Sequence, residues 1–226
     1  PPGTLHPGTG GPAPAQACAS CPVGCSCNAA LYLVSMPGFN ASGGSSGQPD
    51  PRSNYYCGAN AGKPSVNTSK PVPQSRGNYC PEMDLLEANK FAAQSTPHIC
   101  NGTNRGAGFY PMCDHHGCAT AIFNESKTAM CPDASCLIDS RRAFRHSISF
   151  PVNDDKTLTG IHNVFEQDGR SFNFSTCQAA NAQWTGGDTA EYLRRMTANL
   201  QRGMVMDISL WGVSNAGMSW LDGPTK

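Results

Sequence analysis

No apolar run in this chain approaches the roughly 20 residues that a membrane-spanning helix needs. Charge is scarce: Asp, Glu, Lys and Arg are 14% of the 226 residues, and 16 basic against 16 acidic side chains give a formal net charge of zero. That balance lacks the basic patches that hold nucleic acid or anionic membrane, so neither is expected as a partner. A neutral, polar polymer such as a polysaccharide fits it. Tryptophan is down to three residues and aromatics to 8%. The N-terminus carries no leader pattern, which predicts a processed or trimmed form.

Cysteine, glycine and proline are abundant instead. Twelve Cys in 226 residues is the usage of an oxidising compartment, so a secreted, extracellular protein is expected. Five Asn-x-Ser/Thr sequons, at Asn40, Asn67, Asn101, Asn124 and Asn173, point to a glycoprotein. With 24 Gly and 18 Pro, turns are frequent and long helices few. The length suits one sizeable core.

Residues 1–24 read as a Pro/Gly-rich arm ending in a Cys cluster, and residues 25–226 as one folded domain. The cluster Cys18, Cys21, Cys25 and Cys27 has one pair at zinc-ligand spacing. In a secreted, sequon-rich chain it reads as two disulfides pinning the arm. Residues 29–36 form an apolar run suited to a buried strand, 37–79 a Gly/Ser/Pro-rich loop region and 101–140 an irregular stretch. Alternation predicts strands over 143–150 and 158–166, joined through the Asp168-Gly169 turn to a partner at Arg170–Phe174. Residues 188–202 are the one convincing helix, capped by Asp188 or Thr189, stopped by Gly203, with Tyr192, Met196 and Leu200 as its buried stripe. Strands are expected over 204–211 and Met218–Leu221. Strands dominate, so the fold class is an all-β sandwich with one short helix.

The chemistry concentrates between Cys80 and Cys100, CPEMDLLEANKFAAQSTPHIC. In a strand Glu82 and Asp84 share a face, whereas Glu87 has the opposite parity. Glu87 joins them only if a bulge inserts one extra residue after Asp84. Three acids on one wall of a cleft are what a retaining glycosidase needs, a nucleophile and an acid/base about 5–5.5 Å apart. Three acids in six residues are also common on a solvated turn. Here Met83, Leu85 and Leu86 interleave them and Cys80 pins the start, which favours burial of one face.

EMDLLEANK…TPHIC resembles the active-site signature of glycoside hydrolase family 7, the cellobiohydrolase and endoglucanase type. Further blocks match in the family's order: Asn28-Ala-Ala-Leu-Tyr32, Cys113-Asp-His-His-Gly-Cys118, Gly203-Met-Val-Met-Asp-Ile-Ser-Leu-Trp211 and Trp220-Leu-Asp222. The resemblance implies a concanavalin-like β-jelly-roll sandwich with long disulfide-bonded loops, acting without a cofactor or metal on cellulose or a related β-glucan. It implies Glu82 as nucleophile, Glu87 as acid/base, and Asp84 as the residue that holds Glu82 and shares its proton. Crowded carboxylates cannot all ionise cheaply, which suits that division. Asn28, Tyr32, His98, Arg105, Asp114 and His116 would contact substrate, with Tyr32 donating to Glu82 and His98 on the product side near Glu87. Trp211 and Trp220 would be platforms for pyranose rings. His115 and His116 beside Asp114 read as a loop or a sugar contact rather than a metal site.

The family pattern also implies disulfides Cys57–Cys80, Cys100–Cys113 and Cys118–Cys177. Cys131 and Cys136 have no family counterpart and would bridge locally, and Cys25 would pair within its own cluster. A second family bridge is lost at both ends, where Tyr79 and Ala61 stand. Other positions depart too. The serine that orients the family's nucleophile is replaced near Ala59, an acid of the Cys-Asp loop is His116, and the Asp after Ser-Leu-Trp is Gly212. The tunnel tryptophans are absent, so an open cleft cutting internal β-1,4 bonds is expected. The alternative is a carbohydrate-binding or structural glycoprotein that keeps the fold without turnover.

Overall fold

The computed structural model describes residues 27–35, 58–60, 79–101, 110, 112–126, 128–212 and 219–222. Within them lie twelve strands: β1 Cys27–Val34, β2 Glu82–Ala88, β3 Ala93–His98, β4 Cys100–Asn101, β5 Met112–Cys113, β6 Thr120–Ala121, β7 Met130–Cys131, β8 Ile138–Asp139, β9 Arg145–Ser149, β10 His162–Gln167, β11 Arg170–Ser175 and β12 Val205–Gly212. The larger sheet has five antiparallel strands in the order β12-β1-β2-β3-β6. The second has three, β11-β10-β9.

Alternation explains how the sheets meet. Met83 and Leu85 of β2 turn away from the acids and pack with Ile99, Leu158, Ile161, Tyr192, Leu193 and Met196. Ala88 and Ala93 pack with Phe165 and Phe174 of the second sheet. The core therefore lies between one face of the large sheet and the three-stranded sheet, with the long helix closing one side. This is an all-β jelly-roll sandwich with one helix of more than one turn among the described residues.

The helix is Thr189–Arg202; the Asp188 side chain accepts the Glu191 N–H, and Gly203 ends the helix at φ 83°. Tyr192 and Met196 are fully buried and Leu200 packs against the same cluster. The β10–β11 hairpin turns on Asp168 and Gly169, both in the left-handed region at φ 50° and 75°, which is why Asp-Gly serves there. The stretch 101–140 holds two-residue strands and a single helical turn, Ile122–Glu125; segments that short carry no period.

One expectation fails. Ser219–Asp222 is a helical turn, not a strand. Leu221 is fully buried while Trp220 is 42% exposed, an adjacent pair that fits a helical turn as well as a strand. Cys100–Cys113, Cys118–Cys177 and Cys131–Cys136 are bonded. Cys27 and Cys80 are also in disulfides. The arm, Cys57 and the pairing within the Cys18–Cys27 cluster lie outside the described residues, as do Asn40, Asn67 and the 37–57 region. Asn101 and Asn173 are exposed, and Asn124 lies in the Ile122–Glu125 turn. No helix among the described residues is long and apolar enough to cross a membrane.

Because Met196 is fully buried in the principal cluster, Met196→Ala is expected to cost about 2–5 kcal/mol. Asp188→Ala, which removes only a cap, is expected to cost about 1 kcal/mol. Urea unfolding of the two variants checks the ranking.

Candidate active site

The acids reach one face through a break in the ladder. Opposite β1, Val34 pairs with Glu82, Tyr32 with Asp84 and Ala30 with Glu87, and the register slips between Leu31 and Tyr32. Opposite β3, His98 pairs with Glu82, Thr96 with Asp84 and Gln94 with Glu87, with a slip between Asp84 and Glu87. Leu85 and Leu86 thus stand against the single residue Ser95, the two-against-one count of a bulge. Ser95 Oγ fastens it by donating to the Asp84 carbonyl oxygen at 3.0 Å. Before the bulge even-numbered residues face the cleft, and after it odd-numbered ones do.

Each carboxyl has its own partners. Glu82 is the most open of the three; its Oε2 accepts the Ala59 backbone N–H at 2.5 Å, and it shares a hydrogen bond with Asp84. A main-chain donor thus meets the nucleophile candidate where the sequence lacks the family's serine. Asp84, 5% exposed, sits 2.9 Å from His98 Nε2. His98 Nδ1 faces the Asp114 carbonyl oxygen at 2.6 Å. A carbonyl only accepts, so Nδ1 carries a proton. Glu87, 9% exposed, accepts from Asn28 Nδ2 at Oε1 and from Gln94 Nε2 at Oε2, both at 2.9 Å.

Burial is the main cause of every shift among them. It pushes Glu82 up to about 8, helped by the Asp84 charge and opposed by His98 and the Ala59 N–H. It also holds Asp84 well above the usual carboxylate range, with the Glu87 charge adding to it. Glu87 is raised by burial against the pull of Gln94, His98 and Asn28. Three carboxyls this close and this dry retain protons at pH values where exposed ones have lost them.

The other expected contacts divide. Asn28 is fully buried; its amide is engaged by Glu87 and, at Oδ1, by the Ala88 N–H at 3.1 Å. Tyr32 stands across from Asp84 in the ladder. His98 is buried against Asp84 rather than lining an open subsite. Asp114 is buried as well: Oδ1 accepts the Gly117 N–H at 3.1 Å and Oδ2 lies 2.8 Å from Tyr192 Oη. His116 is exposed, its ring edge-on to His115, which bonds Asn60. Trp211 pairs with Asn28 through the β1–β12 ladder, and Arg105 lies outside the described residues. Gly117 is required where it stands: at φ +64° a Cβ would meet His98 Cε1 at 2.8 Å, so a side chain there would displace the ring that supports Asp84.

Sequence reasoning missed Gln94, Ser95 and Tyr192 as supports of the acids. The signal for Gln94 and Ser95 was available only after the bulge was placed, because register decides what faces Glu87.

Comparison with known proteins agrees with this geometry. Residues 19–192 match the family model for Glycosyl hydrolase family 7. The chain belongs to that family. It is 28% identical over 223 residues to the Endo-beta-1,4-glucanase celB of Aspergillus oryzae, covering 88% of this chain and 53% of the relative. It is 31% identical over 214 residues to the Probable endo-beta-1,4-glucanase celB of Aspergillus fumigatus, covering 88% and 51%. The native endocellulase structure of Humicola insolens superposes at a TM-score of 0.67 with 26% identity, over 89% of this chain and 56% of that one. A cellobiohydrolase of Daphnia pulex, at 21% identity and a TM-score of 0.65 over 88% and 57%, shares the fold. The chain spans about half the length of the curated relatives it matches.

The raised Glu82 carboxyl makes a pH prediction. Below about 4.5 it is protonated folded and unfolded alike; between there and about 8 the folded form alone keeps the proton. Wild-type stability therefore falls as pH rises through that window, by at most about 1.4 kcal/mol per unit from this group. Glu82→Gln is expected to flatten the slope between pH 5 and 8, measured by urea unfolding in matched buffers.

Proposed function

We propose that this chain is a secreted, retaining glycoside hydrolase that cleaves internal β-1,4-glucosidic bonds of cellulose or a related β-glucan. The observation that carries the reading is the bulged strand β2, which sets Glu82, Asp84 and Glu87 on one face with separate partners. The names of its relatives as endo-β-1,4-glucanases support the substrate class.

In this reading Glu87 first protonates the leaving glycosidic oxygen while Glu82 attacks the anomeric carbon. Glu87 then takes a proton from the water that releases the sugar from Glu82. Attack needs Glu82 as a carboxylate. The Ala59 N–H stabilises that anion, and Asp84, which shares a hydrogen bond with Glu82, holds the carboxyl in place. Exposed Trp220 supplies an apolar surface of the kind on which a pyranose ring lies. The disulfides and sequons support secretion.

The test is release of reducing ends from soluble β-glucans. Wild type is expected to be active, and Glu82→Gln to lose at least about a thousandfold in kcat. Activity equal in both, or absent from wild type, would overturn the hydrolase. Binding of the glucan without turnover would identify the carbohydrate-binding alternative, for which the His116 and Gly212 replacements are the motive.

A further inference from the structure

Glu87 is gripped at both oxygens, and one grip belongs to a residue outside the signature acids. Gln94 is 7% exposed and sits directly across the β2–β3 ladder from Glu87. Its Nε2 donates to Glu87 Oε2 at 2.9 Å and lies 3.4 Å from Thr96 Oγ1, on the residue that pairs with Asp84. Asn28 holds the other oxygen from β1 on the far side, its own amide orientation fixed by the Ala88 N–H. A buried amide is costly unless bonded, and the donors of Gln94 are directed at the acid and its neighbour. Two donors from opposite strands also fix the carboxyl plane, since rotating it would break both bonds at once.

We infer that Gln94 is the positioning residue of Glu87: together with Asn28 it clamps the carboxyl in one plane and stabilises its ionised form, the form that activates water in the second half of the reaction. The inference rests on the acid/base reading of Glu87, and it separates the two halves of the cycle. A donor to the carboxylate favours the base over the acid. Losing it leaves the acid-catalysed first step competent and slows the base-catalysed release of sugar.

The test uses Gln94→Met, which keeps length and removes the donor, and Gln94→Glu, which replaces the donor by an acid. Carbon-13 NMR titration of the glutamate carboxyls, with the Glu87 signal assigned through Glu87→Gln, reads the clamp without catalysis. The Glu87 midpoint is expected to rise by about one pH unit in Gln94→Met and further in Gln94→Glu. With an aryl β-cellobioside as substrate, Gln94→Met is expected to lower kcat and KM together about tenfold, leave kcat/KM nearly unchanged at pH 5, and shift its alkaline limb upward. An unmoved Glu87 midpoint in either folded variant overturns the clamp whatever the activity. A wild type inactive on β-glucans with a midpoint that rises in the variants keeps the clamp and removes the hydrolase reading instead.

Discussion

The site depends on one extra residue in β2. Without a bulge after Asp84, Glu87 would point with Met83 into the principal cluster and Leu86 would face the cleft. With it, Met83 and Leu85 enter one apolar cluster, Ala88 another with Leu86 packed against it, and all three acids turn the opposite way. An uncompensated buried carboxylate costs several kcal/mol, and so does an unfilled position in the core. The two demands select the same register, so core packing and acid placement reinforce each other. That is why a local irregularity can be fixed by the whole sandwich: slipping the strand by one residue would exchange every side chain between core and cleft.

Burial makes the acids useful and also makes them expensive, and their hydrogen bonds offset that cost. Glu82 has the Ala59 N–H, Asp84 has His98, and Glu87 has two amides. The support continues outward from His98. Its Nδ1 proton goes to the Asp114 carbonyl, the Asp114 carboxylate holds the Gly117 N–H, and Tyr192 of the core helix lies against both Asp114 and Pro97. The helix stripe that closes the core thus ends, through Tyr192, at the loop that orients the histidine beside Asp84. Three hydrogen bonds in series thus connect the helix to Asp84.

The strand carrying the acids, the hairpin and the helix were legible because each has a local signal. Alternation marks β9 and β10, Asp168-Gly169 marks the turn, and Asp188 with Gly203 brackets the helix. The need for a bulge was legible too, since the parity of Glu82, Asp84 and Glu87 conflicts, but that Leu85 and Leu86 form it is read from the ladder. What stayed hidden has no local signal. Gln94 acquires its partner from a register that exists only after the bulge forms, and Ala59 contributes a main-chain N–H, which every residue but proline possesses. The turn at Ser219–Asp222 was misread for a related reason: a segment of four residues is too short to distinguish one period from the other.

The residues that hold the acids and those that would hold a sugar chain form separate sets. Asn28, Gln94, Ser95, His98, Asp114 and Tyr192 are all buried around β2, and their bonds run to the carboxyls, to one another or to the main chain beside them. His116 and Trp220 are exposed. The two sets answer to different pressures, one to the cost of unpaired buried charge and the other to the shape of a polymer. The replacements at His116 and Gly212 fall where the resemblance puts the family's sugar contacts, while Glu82, Asp84 and Glu87 each keep a partner, a main-chain N–H standing in for the lost serine at Glu82, so the cost of burying charge constrains the residues that hold the acids and not those that would hold a sugar.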